Sequence, residues 1–115
     1  MKGKNILYIC DYAAKYTGSF VPSLTALAKA AGVHNQIYFL FPDTARDRFW
    51  LPLLPVDQDH IFFADFSVKN LAAACTTLAR QLHPRDTVVH THFVGDFRLM
   101  AVRLVFPRIV CHYHM

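Results

Sequence analysis

The sequence predicts an α/β protein, a Rossmann-like three-layer sandwich in which a parallel five-stranded sheet of order 3-2-1-4-5 carries helices on both faces. Three observations support this fold class. Short, continuous apolar segments are typical of strands that are buried on both faces. Segments with helical periodicity separate them, as in βαβ units. Right-handed crossovers leave few topologies for such a sheet, and the doubly wound order is the one that we expect.

The first half of the chain is predicted to contain two strands around one helix. The strands cover residues 6–10 (ILYIC) and 36–41 (QIYFLF). Ser19 is the predicted N-cap of the helix, and Pro22 falls in the first turn, where a missing N–H costs little. Gly32 ends the helix. Its apolar stripe comprises Val21, Leu24, Leu27, Ala28 and Ala31.

The second half repeats the alternation. Strands are predicted at residues 60–64 (HIFFA), 87–90 (TVVH) and 108–114 (RIVCHYH). Ser67 caps the intervening helix, and a last helix covers 95–106 (GDFRLMAVRLVF). The stripe of the first of these helices comprises Val68, Leu71, Ala72, Cys75, Leu78, Ala79 and Leu82. This periodicity is that of a helix packed on a sheet.

Composition narrows the class of protein. The 115 residues are 54% hydrophobic and 17% charged, which indicates one folded domain and excludes disorder. Neither a bilayer-spanning segment nor an export signal is apparent, so we expect a cytoplasmic location. The net charge of +4 favours anionic neighbours such as phosphates, and we predict no nucleic-acid partner. Cys10, Cys75 and Cys111 are odd in number and widely spaced, which favours buried thiols over disulfides or a zinc ribbon.

Two His-x-His pairs hold four of the seven histidines, in VVHTHF (88–93) and IVCHYHM (109–115). Both follow or end strands whose carboxyl ends share one edge of the sheet with the loop around Gly18, so we expect one shared site. Residues i and i+2 of a strand point the same way, so the pairs could also offer four nitrogens to a metal. Asp96 is the only acid near them in sequence, which disfavours that interpretation. A third interpretation is that the histidines merely bond to backbone at strand ends.

The resemblance to a known family is carried by three segments: KNILYICDYAAKYTGSFVPSLTALAKAAG, VVHTHF and IVCHYHM. In order and spacing they resemble the N-terminal domain of GT-B fold glycosyltransferases of family four, over the whole length of the chain. The histidine pairs are most similar to members that build capsular or exopolysaccharides. The resemblance implies transfer of a sugar from a nucleotide-sugar, the donor substrate, to a glycan or lipid-linked acceptor. It implies no cofactor and no metal.

The resemblance also implies roles for individual residues. The loop at Thr17, Gly18 and Ser19 would face the donor phosphates, although the family often has a Gly-Gly pair there. His112 matches the family histidine that contacts the donor sugar, and His92 would lie on the acceptor side. We expect these two histidines to be catalytic.

His90 and His114 complete the set of predicted substrate contacts. Imidazole suits a sugar hydroxyl because it can donate and accept hydrogen bonds.

Residues 1–115 would form a single, incomplete N-terminal domain, because the complete enzymes have a second, donor-binding domain. We therefore expect a truncated product, a split gene or a cut-out fragment that is not a self-sufficient enzyme. The last strand lies at a sheet edge, which predicts self-association through that strand or its covering helix (97–106), or pairing with the missing C-terminal domain. The alternative function is a non-catalytic binding or assembly module that docks with a partner chain carrying the donor domain.

The segment PDTARDRFWLPLLP (42–55) has two interpretations. Its cations, Arg46 and Arg48, stand beside Phe49, Trp50 and several leucines. One interpretation is peripheral contact with the inner face of a membrane that carries a lipid-linked acceptor. The other, which we favour, is a short helix whose Trp50 and leucines pack under the sheet edge.

Overall fold

The sheet of the computed structural model, which describes residues 4–112, is parallel and five-stranded, in the order β3-β2-β1-β4-β5. The strands are β1 (Asn5–Cys10), β2 (Gln36–Pro42), β3 (Ile61–Ala64), β4 (Thr87–His92) and β5 (Ile109–His112). The predicted fold class and strand order are therefore confirmed. Strand order reverses between β1 and β4, and Asn5 lies in register with both Gln36 and Thr87.

Helices cover both faces of the sheet. They are α1 (Phe20–Ala31), α2 (Val68–Leu82) and α3 (Asp96–Arg103). On one face, α1 packs with Tyr8, Phe39 and Phe41, whose side chains are at most 2% exposed. On the other face, α2 and α3 pack against Leu7 and Ile9, both fully buried. This double coverage is why the strand sequences are continuously apolar.

The largest differences from the predicted element boundaries are in β4 and α3; most other ends differ by at most one residue. The fourth strand continues to His92, so His92 lies within β4 instead of following it. The third helix ends at Arg103, three residues before Phe106. The backbone there closes in a turn in which the N–H groups of Val105 and Phe106 both donate to the Val102 carbonyl. Pro107 follows, and a proline disfavours helical conformation in the residue before it.

Helix caps also differ from the prediction. Ser19 and Ser67 occupy the N-cap positions, but neither side chain makes a capping hydrogen bond. Ser19 already has helical dihedral angles (φ −86°, ψ −15°), whereas a capping residue normally has extended ones. At α2, the Asp65 carboxylate accepts the Ser67 N–H instead. Of the predicted stripe residues, Leu27 and Val68 are about half exposed.

In the segment between β2 and β3, Trp50 packs in the core, as the favoured interpretation predicts. Trp50 is fully buried and Leu54 is 4% exposed, both within the core on the α1 face. The turns here are short 3-10 helices at Asp43–Ala45 and Leu51–Leu53. Phe49 and Leu53 remain more than half exposed. The predicted membrane contact is not decided by this packing and stays a prediction.

Two further observations concern cysteines and membrane spans. Cys10 and Cys75 are buried free thiols, as predicted, whereas Cys111 is half-buried. Within the described residues, no helix has the length and apolar character needed to cross a bilayer.

Candidate functional site

Three histidines meet at the carboxyl ends of β4 and β5. His92 and His112 lie in register on the two strands, and their rings stack with centroids 4.3 Å apart and planes 8° apart. His90 Nδ1 lies 2.8 Å from His112 Nε2, so one of these nitrogens donates a hydrogen bond to the other. His90 and His92 of the first motif and His112 of the second therefore lie together, as the sequence predicts. His114 lies outside the described residues.

The cluster lies on the α1 face of the sheet, beside aromatic rings. Tyr8 of β1 is next to His90, with ring centroids 5.3 Å apart. Phe20, the first residue of α1, presents its edge to His92 at 5.3 Å. His92 is consequently only 2% exposed, whereas His90 and His112 are half-buried. A ligand can approach the latter two directly, and it would reach His92 only after neighbouring rings move.

The Gly18 loop joins this cluster through two aromatic side chains. Gly18 has φ +55°, a left-handed conformation that glycine adopts without strain. The Tyr12 hydroxyl donates to the carbonyls of Tyr16 (2.8 Å) and Thr17 (3.1 Å), which fixes the loop. The Tyr12 ring then packs on Phe20, at a centroid distance of 4.7 Å. The Gly18 loop is therefore connected to His92 through the packed rings of Tyr12 and Phe20, and the convergence of the loop and both motifs on one crevice stays a prediction.

An ion pair that the sequence did not suggest braces the same edge. Asp11 directly follows β1, and its carboxylate pairs with the Arg98 guanidinium on α3. The Asp11 N–H donates to the His92 carbonyl at 3.0 Å. Arg98 Nη2 also donates to the Phe93 carbonyl at 3.3 Å. The acid closest in the fold to the end of β4 is thus Asp11, and Asp96, although nearer in sequence, is exposed at the start of α3.

Phe93, directly after β4, has φ +63°, which is unusual for a residue with a side chain. Its ring lies against Phe20 at 4.9 Å and stacks on Tyr12 at 6.1 Å. Strained conformations of this kind concentrate at functional sites. Because Asp11, Tyr12 and Phe93 all follow strands at the edge that carries the site, their positions alone could have identified them.

Burial shifts the pKa of three groups in and beside the cluster, those of His90, Tyr8 and Cys10. Burial lowers the pKa of His90, and the nearby charge of His112 lowers it further. Burial also raises the pKa of the Tyr8 hydroxyl, with a smaller contribution from Cys10, and raises that of the Cys10 thiol well above its usual value. At neutral pH the cluster therefore offers the neutral forms of His90, Tyr8 and Cys10. It does not offer a thiolate nucleophile.

The arrangement of the rings bears on metal binding. His90 and His112 bond to each other, and the rings of His92 and His112 are stacked in parallel, so their nitrogens do not point at a common centre. Across residues 4–112, no group of three or more His, Cys, Asp or Glu side chains is arranged to hold a metal ion. The expected absence of a metal stays a prediction.

A separate groove of about 280 Å³ lies at the opposite edge of the sheet. Ile61 and Phe63 of β3 line it together with Arg46, Leu51 and other residues of the preceding segment. The Arg46 guanidinium lies 4.9 Å from the centre of the Phe63 ring. Since β2 and β1 separate β3 from β4, about 14 Å divides this groove from the histidines. The groove and the histidine cluster are different places.

Comparison with protein-family models, with curated proteins and with solved structures gave no match.

Proposed function

We propose that this chain is the acceptor-side domain of a glycosyltransferase of polysaccharide biosynthesis, which transfers a sugar from a nucleotide-sugar to a glycan or lipid-linked acceptor. The observation that supports the proposal best is the gathering of His90, His92 and His112 at the carboxyl ends of β4 and β5, beside the reversal of strand order between β1 and β4. Ligands of open α/β sheets bind outside the carboxyl ends of the strands, near such a reversal. The partner that completes the enzyme is a donor-binding domain, and the site of action is the inner face of the cytoplasmic membrane.

His112 is the proposed donor-sugar contact. Its Nε2 already exchanges a hydrogen bond with His90, and the stacked His92 ring holds its plane. An imidazole can donate to or accept from a sugar hydroxyl. His90 is the more accessible of the other two rings, so it is the proposed acceptor-side contact, and His92 reaches the acceptor only if the aromatic rings move.

The phosphates of the donor are proposed to lie at the start of α1. That helix has 12 residues and carries no acidic side chain in its first turn. The dipole of a helix favours an anion at its start. In α1 the Val21 N–H already donates to the Thr17 carbonyl and Pro22 has no N–H, so the backbone donors proposed here are those of the Gly18 loop. The left-handed turn at Gly18 lets the backbone of Thr17 and Ser19 approach a phosphate without a side chain between them.

The test is binding of uridine diphosphate glucose and guanosine diphosphate mannose, measured by ligand-observed and histidine-detected NMR. We expect weak binding by the wild-type chain and a threefold to tenfold loss in His112→Ala, the equivalent of one hydrogen bond. His112→Asn, whose amide can replace Nδ1, the ring nitrogen that is not bonded to His90, should retain most of the affinity. His34→Ala removes an exposed histidine and is the control that should bind as wild type.

Equal binding by wild type and His112→Ala would contradict the proposal. So would ligand-induced shifts confined to the groove at β3. Binding of simple phosphate with the same affinity as the nucleotide-sugars would also contradict it, because the sugar would then contribute nothing.

A further inference from the structure

The outer face of α3 is apolar. Phe97, Met100 and Leu104 are 79%, 64% and 86% exposed. They are spaced three and four residues apart, so they form one stripe along the helix. The opposite face is the packed one, since Val102 is fully buried in the core that α3 shares with α2 and the sheet. A contiguous patch of large, exposed apolar side chains is typical of a surface that binds another molecule.

Two charges border the stripe on one side. Asp96 is the first residue of α3 and Arg103 the last, and both are exposed. The two residues are seven positions apart, which is nearly two full turns of helix, so their side chains lie on the same flank. Within the described part of the chain, neither takes part in a salt bridge.

We propose that two copies of this chain associate through α3, with the two helices antiparallel about a two-fold axis that passes by Met100. In that arrangement the same flanks of the two helices meet, and they run in opposite directions. Asp96 of each copy then faces Arg103 of the other. Phe97 of each copy packs on Leu104 of the other, and the two Met100 side chains meet at the axis.

The charge pattern selects a second copy over other occupants. A parallel arrangement would place this flank against the other flank of the second helix. That flank carries Ala101 and Arg98, and Arg98 already pairs with Asp11, so Asp96 and Arg103 would find no partner there. In the antiparallel arrangement two Asp96–Arg103 pairs form, so all four charges have a partner. The helix has only eight residues, so the contact belongs to the small, transient class of below about 1,200 Å². The inference does not depend on the proposed function, because α3 and the histidines lie on opposite faces of the sheet.

Disulfide trapping tests the geometry. Met100→Cys should form a covalent dimer on mild oxidation, because the two positions meet at the axis. Leu104→Cys is the matched control. Its two copies would be about 12 Å apart along the helices, too far for a disulfide. The wild-type chain controls for the native cysteines. A dimer from Leu104→Cys, or none from Met100→Cys, would overturn the proposal.

Charge exchange tests the pairing, with sedimentation equilibrium as the measurement. Asp96→Arg and Arg103→Asp should each weaken dimerisation about tenfold, since each places like charges together. The double variant should recover it, and an equimolar mixture of the two single variants should form a mixed dimer. Circular dichroism confirms that α3 remains folded. A wild-type monomer up to millimolar concentration, or a dimer indifferent to these changes, would overturn the proposal, and the latter would point to pairing through the β5 edge.

Discussion

Replacing Trp50 with alanine is expected to lower the free energy of unfolding by about 3–5 kcal/mol, the range measured for large aromatic side chains in cores. Trp50 is fully buried, and its ring contacts Phe41 at 5.2 Å and Tyr12 at 5.5 Å. Its Nε1–H donates to the Ala14 carbonyl at 2.8 Å. The alanine variant would therefore lose packing and would also leave the carbonyl without this partner.

Chemical denaturation of Trp50→Ala, Trp50→Phe and Phe49→Ala measures this effect. Trp50→Phe keeps a ring and loses the hydrogen bond, so we expect an intermediate loss. Phe49 is 63% exposed, and its removal should change stability by less than about 0.5 kcal/mol. Equal losses at the two neighbouring positions would mean that the segment before β3 is not anchored by its tryptophan. The same Phe49→Ala variant, assayed for binding to anionic vesicles, examines the predicted membrane contact.

Stability should decrease as the pH falls below about 6.5, and the His90–His112 pair is the expected cause. The pKa of His90 is lowered in the folded chain, chiefly by burial. The unfolded chain therefore takes up a proton at this residue before the folded chain does. Stability is full above the unfolded pKa and is lost as the pH falls through the folded one. Tyr8 and His112, which pack against His90, carry no negative charge that could compensate.

The hydrogen bond itself adds to this dependence. If one of the two rings takes up a proton, an N–H of one ring still faces an unprotonated nitrogen of the other. If both rings take up a proton, an N–H faces an N–H and the hydrogen bond is lost. Thermal unfolding from pH 8 to pH 5 should therefore show a smaller decrease in His90→Asn, whose amide can replace Nδ1 and cannot take up a proton. His34→Asn should follow the wild type. An unchanged slope in His90→Asn would assign the acid sensitivity to other groups.

The fold could be predicted because it depends on features that are local in sequence. The continuous apolar segments that became β1 and β2 and the periodic stripes of α1 and α2 each specify an element within one short stretch. The parallel topology then leaves few arrangements. The ends of the elements and the helix caps were predicted less well. Ser19 and Ser67 occupy the predicted cap positions without capping bonds, and at Ser19 the backbone has helical angles that a residue preference does not reveal.

The site was predictable in its location and less so in its contacts. Topology placed the two His-x-His motifs at one edge, and the rings of His92 and His112 do meet there. The Asp11–Arg98 pair joins residues that are 87 positions apart, and no local pattern relates them. The burial of His92 likewise depends on where Phe20 starts its helix. Long-range side-chain packing carries this information, and a single sequence shows it poorly.

The pairing of β1 with two distant partners has a consequence for how the protein is made. Asn5 pairs with Gln36 on one side and with Thr87 on the other. At a synthesis rate of 5–20 residues per second, the roughly 50 residues between the end of β2 and the end of β4 take a few seconds to emerge. During that time β1, which carries Leu7 and Ile9, can pair with β2 on one side only. A nascent chain therefore presents an open apolar strand edge for seconds. Proteolysis of stalled chains should detect that edge. The time needed to translate residues 43–92 sets the interval in which a chaperone can bind it.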